Sequence, residues 1–257
     1  MPRAQVIAEQ LDALLHTAEI PDYPAALNGL QFANRGDVRR VATAVDFSSH
    51  TVRQAVAAQA QMLLVHHGMF WGGLQPVTGL TYARYVDLVS HDLAVYSTHL
   101  PLDMHPELGN NALLARRLGL EPSEGFARYK TVDVGLSGTA DMETESVVKR
   151  ARELAREAGG EVVVTPFGSN RRTRHWAICT GAGADSDTLH EAAERGIDTM
   201  IVGEGPHHTA VQARDMGIVV VYAGHYATET LGIRALGDYV AREFGVEAEF
   251  LHAPTGL

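Results

Sequence analysis

The sequence predicts an α/β fold: two α/β domains with mainly parallel or mixed sheets. Short runs rich in Val, Ile and Leu alternate with helical stretches along most of the 257 residues, the pattern of βα units. Hydrophobic residues make up 46% and charged residues 20% of the chain, an ordinary globular composition. The length suits one large domain or two smaller ones. The alternation starts afresh near residue 127, so residues 1–126 read as an N-terminal α/β domain and residues 127–257 as a C-terminal one.

The first element is a helix with Val6, Ile7, Leu11, Leu14 and Leu15 at 3–4 spacing. A Pro-rich loop, IPDYPAALNGLQF, follows, with Asn28-Gly29 as its turn signal. VRRVATAVDF reads as a strand, and SSHTVRQAVAAQA as a helix with a Ser or Thr cap. QMLLVHH is the next strand, TYARYVDLVSHD a helix and LAVYSTH a strand. GNNALLARRLGL is a helix closed by Gly119. In the second block, TVDVGLSG, EVVVTP, RHWAICTG, DTMIVGE, IVVVYAGH and VEAEFLH read as strands. The helices between them are ETESVVKRARELAREAGG, SDTLHEAAERG, HHTAVQARDMG and TETLGIRALGDYVAREFG.

Composition narrows the functional classes. A net charge of −10 opposes general nucleic-acid binding, which needs basic surface to displace phosphate counterions. The one basic run, Arg171-Arg172-Thr173-Arg174, is more often a solvated loop than an anion site. No apolar run reaches the ~18 residues of a membrane span, and no signal-peptide pattern is present. Cys179 is the single cysteine, so thiolate clusters are excluded and a reducing cytoplasm fits. Any metal must then use imidazole and carboxylate, which suits divalent zinc, manganese, iron, nickel or cobalt.

Thirteen histidines are present, and several end apolar runs. In LLVHHGMFW, His66 and His67 close a strand; neighbours in a strand point to opposite faces unless the backbone turns. Ligands in open α/β sheets bind outside the carboxyl ends of strands, which singles out four places. These are His66-His67; STHLPLDMHPE with His99, Asp103 and His105; GEGPHH with Glu204, His207 and His208; and AGHYATE with His225 and Glu229. His225 and Glu229 stand four apart at a helix start and share a face. Alone, such a pair is more often a surface hydrogen bond, and His66-His67 alone fits a core histidine beside an exposed one. The four places together point to dinuclear metal chemistry. Asp103 and Glu229 can bridge or cap two cations, His66, His67 and His225 fill other positions, and water between the ions is acidified to a nucleophile.

The motifs NGLQ, LLVHHGMFW, STHLPLDMHPELGNNALLARRLGL, GEGPHH and GHYATETLG, in this order, resemble the Nif-three-like family, whose members are often labelled GTP cyclohydrolase I type 2 homologues. The resemblance runs from Asn28 to the final helix and is specific in combination. It implies a two-domain subunit, a homohexameric ring, and two divalent metal ions per subunit in a centre formed by both domains. By motif, the metal ligands fall on His66, His67, Asp103, His225 and Glu229, with Glu229 bridging. His99 falls near the site as an extra ligand or an orienting residue, and His207 and His208 fall on the pocket lining. Longer relatives carry an inserted domain; Arg128 to Arg174 is too short for one, so this is the compact form. Relatives often show a glycine run where this chain has CTGAGAD. Ala182 interrupts it, so Gly181 and Gly183 are not expected to cradle a phosphate.

The expected function is a cytoplasmic, dinuclear metal-dependent hydrolase. A metal-bridging hydroxide would act on a small nucleotide or phosphoester-type substrate, with His99 and His207 moving protons. No Walker loop or guanine-reading motif is evident. The alternative is a non-catalytic, metal-binding ring-shaped scaffold or regulatory protein, since fold and ligands do not fix function.

Overall fold

The computed structural model describes all 257 residues. Its strands are β1 (Gly29–Phe32), β2 (Arg40–Asp46), β3 (Met62–His67), β4 (Ala94–Ser97), β5 (Glu124–Tyr129), β6 (Val132–Glu143), β7 (Val163–Val164), β8 (Arg172–Cys179), β9 (Thr199–Val202), β10 (Val219–Tyr222) and β11 (Glu247–Phe250). The helices are α1 (Ala4–Leu14), α2 (Ser49–Ala57), α3 (Gly79–Ser90), α4 (Leu100–Asp103), α5 (Asn110–Leu118), α6 (Thr144–Glu157), α7 (Ser186–Glu194), α8 (His207–Asp215) and α9 (His225–Phe244). The chain forms two compact units, Met1–Leu102 with Gly232–Ala253, and Asp103–Leu231 with Pro254–Leu257. Each has its own mixed sheet. No helix is long and apolar enough to cross a membrane.

In the first unit the sheet order is β1-β4-β3-β2-β11. β11, β2, β3 and β4 run parallel, and β1 closes the other edge antiparallel to β4. All six residues of β3 are buried, as expected of a strand covered on both faces. Leu63, Val65, Ala44 and Val95 pack with Val52 and Ala55 of α2 and Leu88 of α3. α2 starts where it does because Ser48 and Thr51 form a reciprocal capping box. The parallel run places the carboxyl ends of β2, β3 and β4 side by side; Asp46 is register partner to His67.

The second unit has the order β5-β6-β8-β9-β10-β7. Its centre, β8-β9-β10, is parallel, and the outer pairs are antiparallel. Side chains of β8 alternate between two cores. Trp176 and Ile178 join Val147, Val148, Ala151 and Leu154 of α6, while Ala177 and Cys179 join Leu189 of α7 and Ala213 of α8. The basic run serves structure: Arg171 donates to the Asp198 and Gly217 carbonyls, and Arg172 pairs with Asp141.

Several elements differ from the sequence expectation. β1 falls inside the stretch read as loop; its four residues are too few to show alternation, and pairing with β4 creates it. β5 was not expected, because the turn to β6 passes through Lys130 at φ 50 without the Asn-Gly or Asp-Gly signal of a tight hairpin. Pro101 suggests a loop after His99, yet Leu100–Asp103 is helical, because Pro101 lies in a first turn, where a missing N–H is tolerated. The restart near residue 127 reflects the β5–β6 hairpin that opens the second sheet.

Trp176 is fully buried, and its indole N–H has no acceptor among protein atoms. Trp176→Ala is therefore expected to cost about 3–5 kcal/mol. Trp176→Phe loses volume but also removes a buried unpaired donor, which itself costs about 1–3 kcal/mol, so its net effect is small. Chemical denaturation of both variants checks the contrast; equal losses would show that the N–H is satisfied.

Candidate metal centre

In the first unit, His66 and His67 end β3 and His99 lies just beyond β4. One ring nitrogen from each lies within 4.8 Å of the others. All three residues are buried. The His66 and His67 rings converge at the strand end, with centroids 4.8 Å apart, and His66 and His99 are 4.9 Å apart. Trp71 lies tilted beside this group, with ring centroids 4.7 Å from His67 and 4.5 Å from His99.

Each ring is held through Nδ1. His66 Nδ1 meets the Thr98 carbonyl at 2.9 Å, His67 Nδ1 the Asp46 carboxylate at 2.8 Å, and His99 Nδ1 the Asp22 carboxylate at 2.9 Å. Asp22 comes from the Pro-rich loop and is fixed in turn. Asn28 Nδ2 donates to it at 2.8 Å and the Leu100 N–H at 2.9 Å, while the His99 N–H donates to Asn28 Oδ1. Burial alone would raise the Asp22 carboxyl, but its hydrogen bond and charge interaction with His99 outweigh this and hold it below the usual range.

In the second unit, the carboxyl ends of β8, β9 and β10 supply Thr180-Gly181, Glu204 and His225. His225 opens α9, and Glu229 follows one turn later, buried. His225 Nδ1 meets Glu204 at 2.8 Å, and its Nε2 meets Glu229 at 3.0 Å. Burial would lower the His225 pKa, yet the hydrogen bonds and charges of Glu229 and Glu204 raise it to about 9. Asp103 is buried too, and its Oδ1 accepts from Asn110 at 2.8 Å and from Thr180 at 3.4 Å. Gly181 sits at φ +63, and a Cβ there would lie 2.1 Å from Glu229 Oε1. The glycine thus makes room for the carboxylate, a role apart from phosphate binding.

These residues fit a metal. An imidazole whose Nδ1 is fixed by a carbonyl or carboxylate presents Nε2 to a cation, the usual arrangement of metal-binding histidine. All four histidines follow it, the ring protons being inferred from their partners. Groups of His and Glu in this chain can hold a metal ion. The contact between His225 and Glu229 shares a proton where a bound cation would displace it. Cys179 takes no part: burial and the nearby Asp103 charge push its thiol pKa far up.

His66, His67 and His99 come together in the first unit, and His225 and Glu229 in the second, where Asp103 accepts from Asn110 and Thr180. His207 and His208 are exposed at the start of α8. His207 lines a cavity of about 320 Å³ with Glu204, Tyr222 and Glu161. His105 caps a turn through the N–H groups of Glu107 and Leu108. Sequence reasoning did not single out Asp22 and Asp46. Asp46 ends a predicted strand, so the strand-end rule could have found it; Asp22, inside a loop, carried no signal of its own.

The family model described as Duf34/NIF3 (NGG1p interacting factor 3) matches residues 3–255. A Deinococcus radiodurans protein named GTP cyclohydrolase 1 type 2 homolog is 37% identical over 249 residues, covering 96% of this chain and 92% of its own. A Halobacterium salinarum protein of the same name is 42% identical over 242 residues, covering 93% and 94%. The solved structure of TTHA1606 from Thermus thermophilus superposes with a TM-score of 0.85 at 32% identity, covering 99% of this chain and 100% of that one.

In EDTA-treated protein, the His225 imidazole is expected to stay protonated at neutral pH and to titrate near 9. Glu204→Gln removes one of its two anionic neighbours and moves the midpoint down. Histidine NMR titration reads both; a wild-type midpoint at or below the ordinary ~6.5 would contradict the double carboxylate contact.

Proposed function

The chain belongs to the Duf34/NIF3 family, and from that premise we propose that it is a dinuclear metal-dependent hydrolase acting on a small nucleotide or phosphoester-type substrate. The observation that carries the reading is the shared geometry of four histidines, each fixed through Nδ1 by a carbonyl or carboxylate. Such outer partners serve to orient ligands, and a plain core histidine does not need its neighbours to follow the same rule.

In this reading His66, His67 and His225 offer Nε2, and Asp103 and Glu229 offer carboxylate oxygens, to two divalent cations among zinc, manganese, iron, nickel and cobalt. The cations, when bound, supply Lewis acidity and lower the pKa of water toward neutrality. His99, its Nδ1 held by the anionic Asp22, can take up and return a proton at Nε2. His207, on the cavity wall beside Glu204, would protonate a leaving group that occupies the cavity. Thr180 and Asn110 keep the Asp103 carboxylate aimed. The subunit assembles into the homohexameric ring that family resemblance implies. The apolar residues Leu80, Tyr82, Val86 and Val89, exposed on α3, are consistent with such contacts. A single, buried cysteine suits work in the reducing cytoplasm.

About two divalent ions per chain are expected on metal analysis of protein purified without chelator. His66→Ala and Glu229→Ala should lose both metal and turnover in a screen of GTP and generic phosphoesters. Two ions with no turnover on any substrate would favour the metal-binding scaffold instead, and no ions would end the reading.

Metal affinity should also fall about 10–100-fold in Asp46→Asn, the cost typical of removing an orienting partner from a ligand, whereas Asp22→Asn, which frees His99, should keep metal and lose turnover. Gly181→Ala, which drives a methyl into Glu229, should lose metal, whereas Gly196→Ala, at φ +66 with nothing within 4 Å, should keep it. Competition against a metal chelator ranks the variants; indistinguishable affinities would remove the supporting geometry.

A further inference from the structure

The stretch LLVHHGMFW holds one residue that the metal reading leaves unused. Trp71 is 39% exposed, yet it lies on two of the buried imidazoles, 4.7 Å from His67 and 4.5 Å from His99. Tyr23, 48% exposed, meets it edge-on at 6.4 Å and leans on His99 at 5.9 Å. An exposed indole and phenol thus border the imidazole cluster.

The segment that carries Trp71 is fixed at one end and open at the other. At its base, Gly68 leaves no room for a side chain, since a Cβ would lie 2.4 Å from the Gln31 amide and 2.6 Å from Ser97 Oγ. The Met69 N–H donates to Gln31 Oε1 at 2.6 Å. Past Trp71, Gly72 and Gly73 have nothing within 4 Å of a would-be Cβ. The indole is thus carried just past an anchored root, beside glycines that face open space, with its exposed part free to meet a ligand.

We propose that Trp71, backed by Tyr23, is the specificity-determining surface of this site and stacks on a planar heteroaromatic ring of the substrate. Large aromatic faces prefer offset or edge contacts with other π systems, and stacking of bases on such side chains is strong and tolerant of base identity. The indole would select substrates by planarity, leaving the metal-holding residues to act on the group beyond the ring. The proposal rests on the hydrolase reading for its placement, but its test does not depend on turnover.

The chain has two tryptophans, and Trp176 is fully buried, so a Trp176→Phe background makes Trp71 the sole indole reporter. Titrating metal-loaded and EDTA-treated protein with adenosine or guanosine monophosphate, beside ribose 5-phosphate, separates ring from sugar phosphate. The nucleotides should quench Trp71 fluorescence and bind at least about tenfold tighter than ribose 5-phosphate. Trp71→Ala, measured by calorimetry, should erase that preference with metal content unchanged, and Trp71→Phe should restore most of it. Equal or undetectable binding of nucleotide and ribose 5-phosphate would overturn the proposal, as would a preference that survives in Trp71→Ala. Loss of metal in Trp71→Ala would make the indole a cover over the histidines and also overturn it. If the protein holds no metal but the ring preference and its loss in Trp71→Ala persist, the hydrolase reading fails and the stacking surface stands.

Discussion

The arrangement of the candidate site depends on one recurring interaction, an imidazole Nδ1 fixed by an oxygen. His66 uses the Thr98 carbonyl, His67 the Asp46 carboxylate, His99 Asp22 and His225 Glu204. Each contact removes the freedom of a ring to rotate or exchange tautomers, so entropy is lost on folding rather than on binding. The sheets exist in a form that makes these contacts possible. Parallel strands bring Asp46, His67 and Thr98 to one edge in the first unit, and Glu204 and His225 to one edge in the second. A mixed sheet with antiparallel strands only at its margins keeps these parallel centres intact.

The carboxylates also answer an electrostatic problem. Buried acids and bases are costly unless paired. Here the low-lying Asp22 and the raised His225 show pairs in which charge is retained under burial. The opposite outcome, neutralisation, is what burial does to Cys179 and Tyr96, whose pKa values are both pushed up. A chain with net charge −10 that keeps the buried Asp22 carboxyl ionised holds a local field suited to cations.

Much of the fold was legible because its signals are local. The buried run of β3, the Ser48 cap of α2 and the Gly119 stop of α5, in left-handed conformation, could each be read within a few residues. Legible too was that His66 and His67 close a strand and that His225 follows one. What could not be read depends on partners far along the chain. β1 becomes a strand by pairing with β4, and Asp22 becomes an orienting group only when His99, 77 residues away, is folded against it. Asp103 lies in a motif, but its Asn110 and Thr180 contacts could not be inferred from spacing.

The strand β11 has a consequence of another kind. It ends the first sheet beyond β2 and presents Glu247, exposed Ala248 and Glu249 along its length, with Glu247 tied back to Arg40. A sheet margin offers unsatisfied backbone donors and acceptors to any extended peptide that drifts past. Two carboxylates along a four-residue margin repel a second copy of the same strand, and the short length limits the ladder it could form. The protein thereby protects itself against runaway sheet growth at this border.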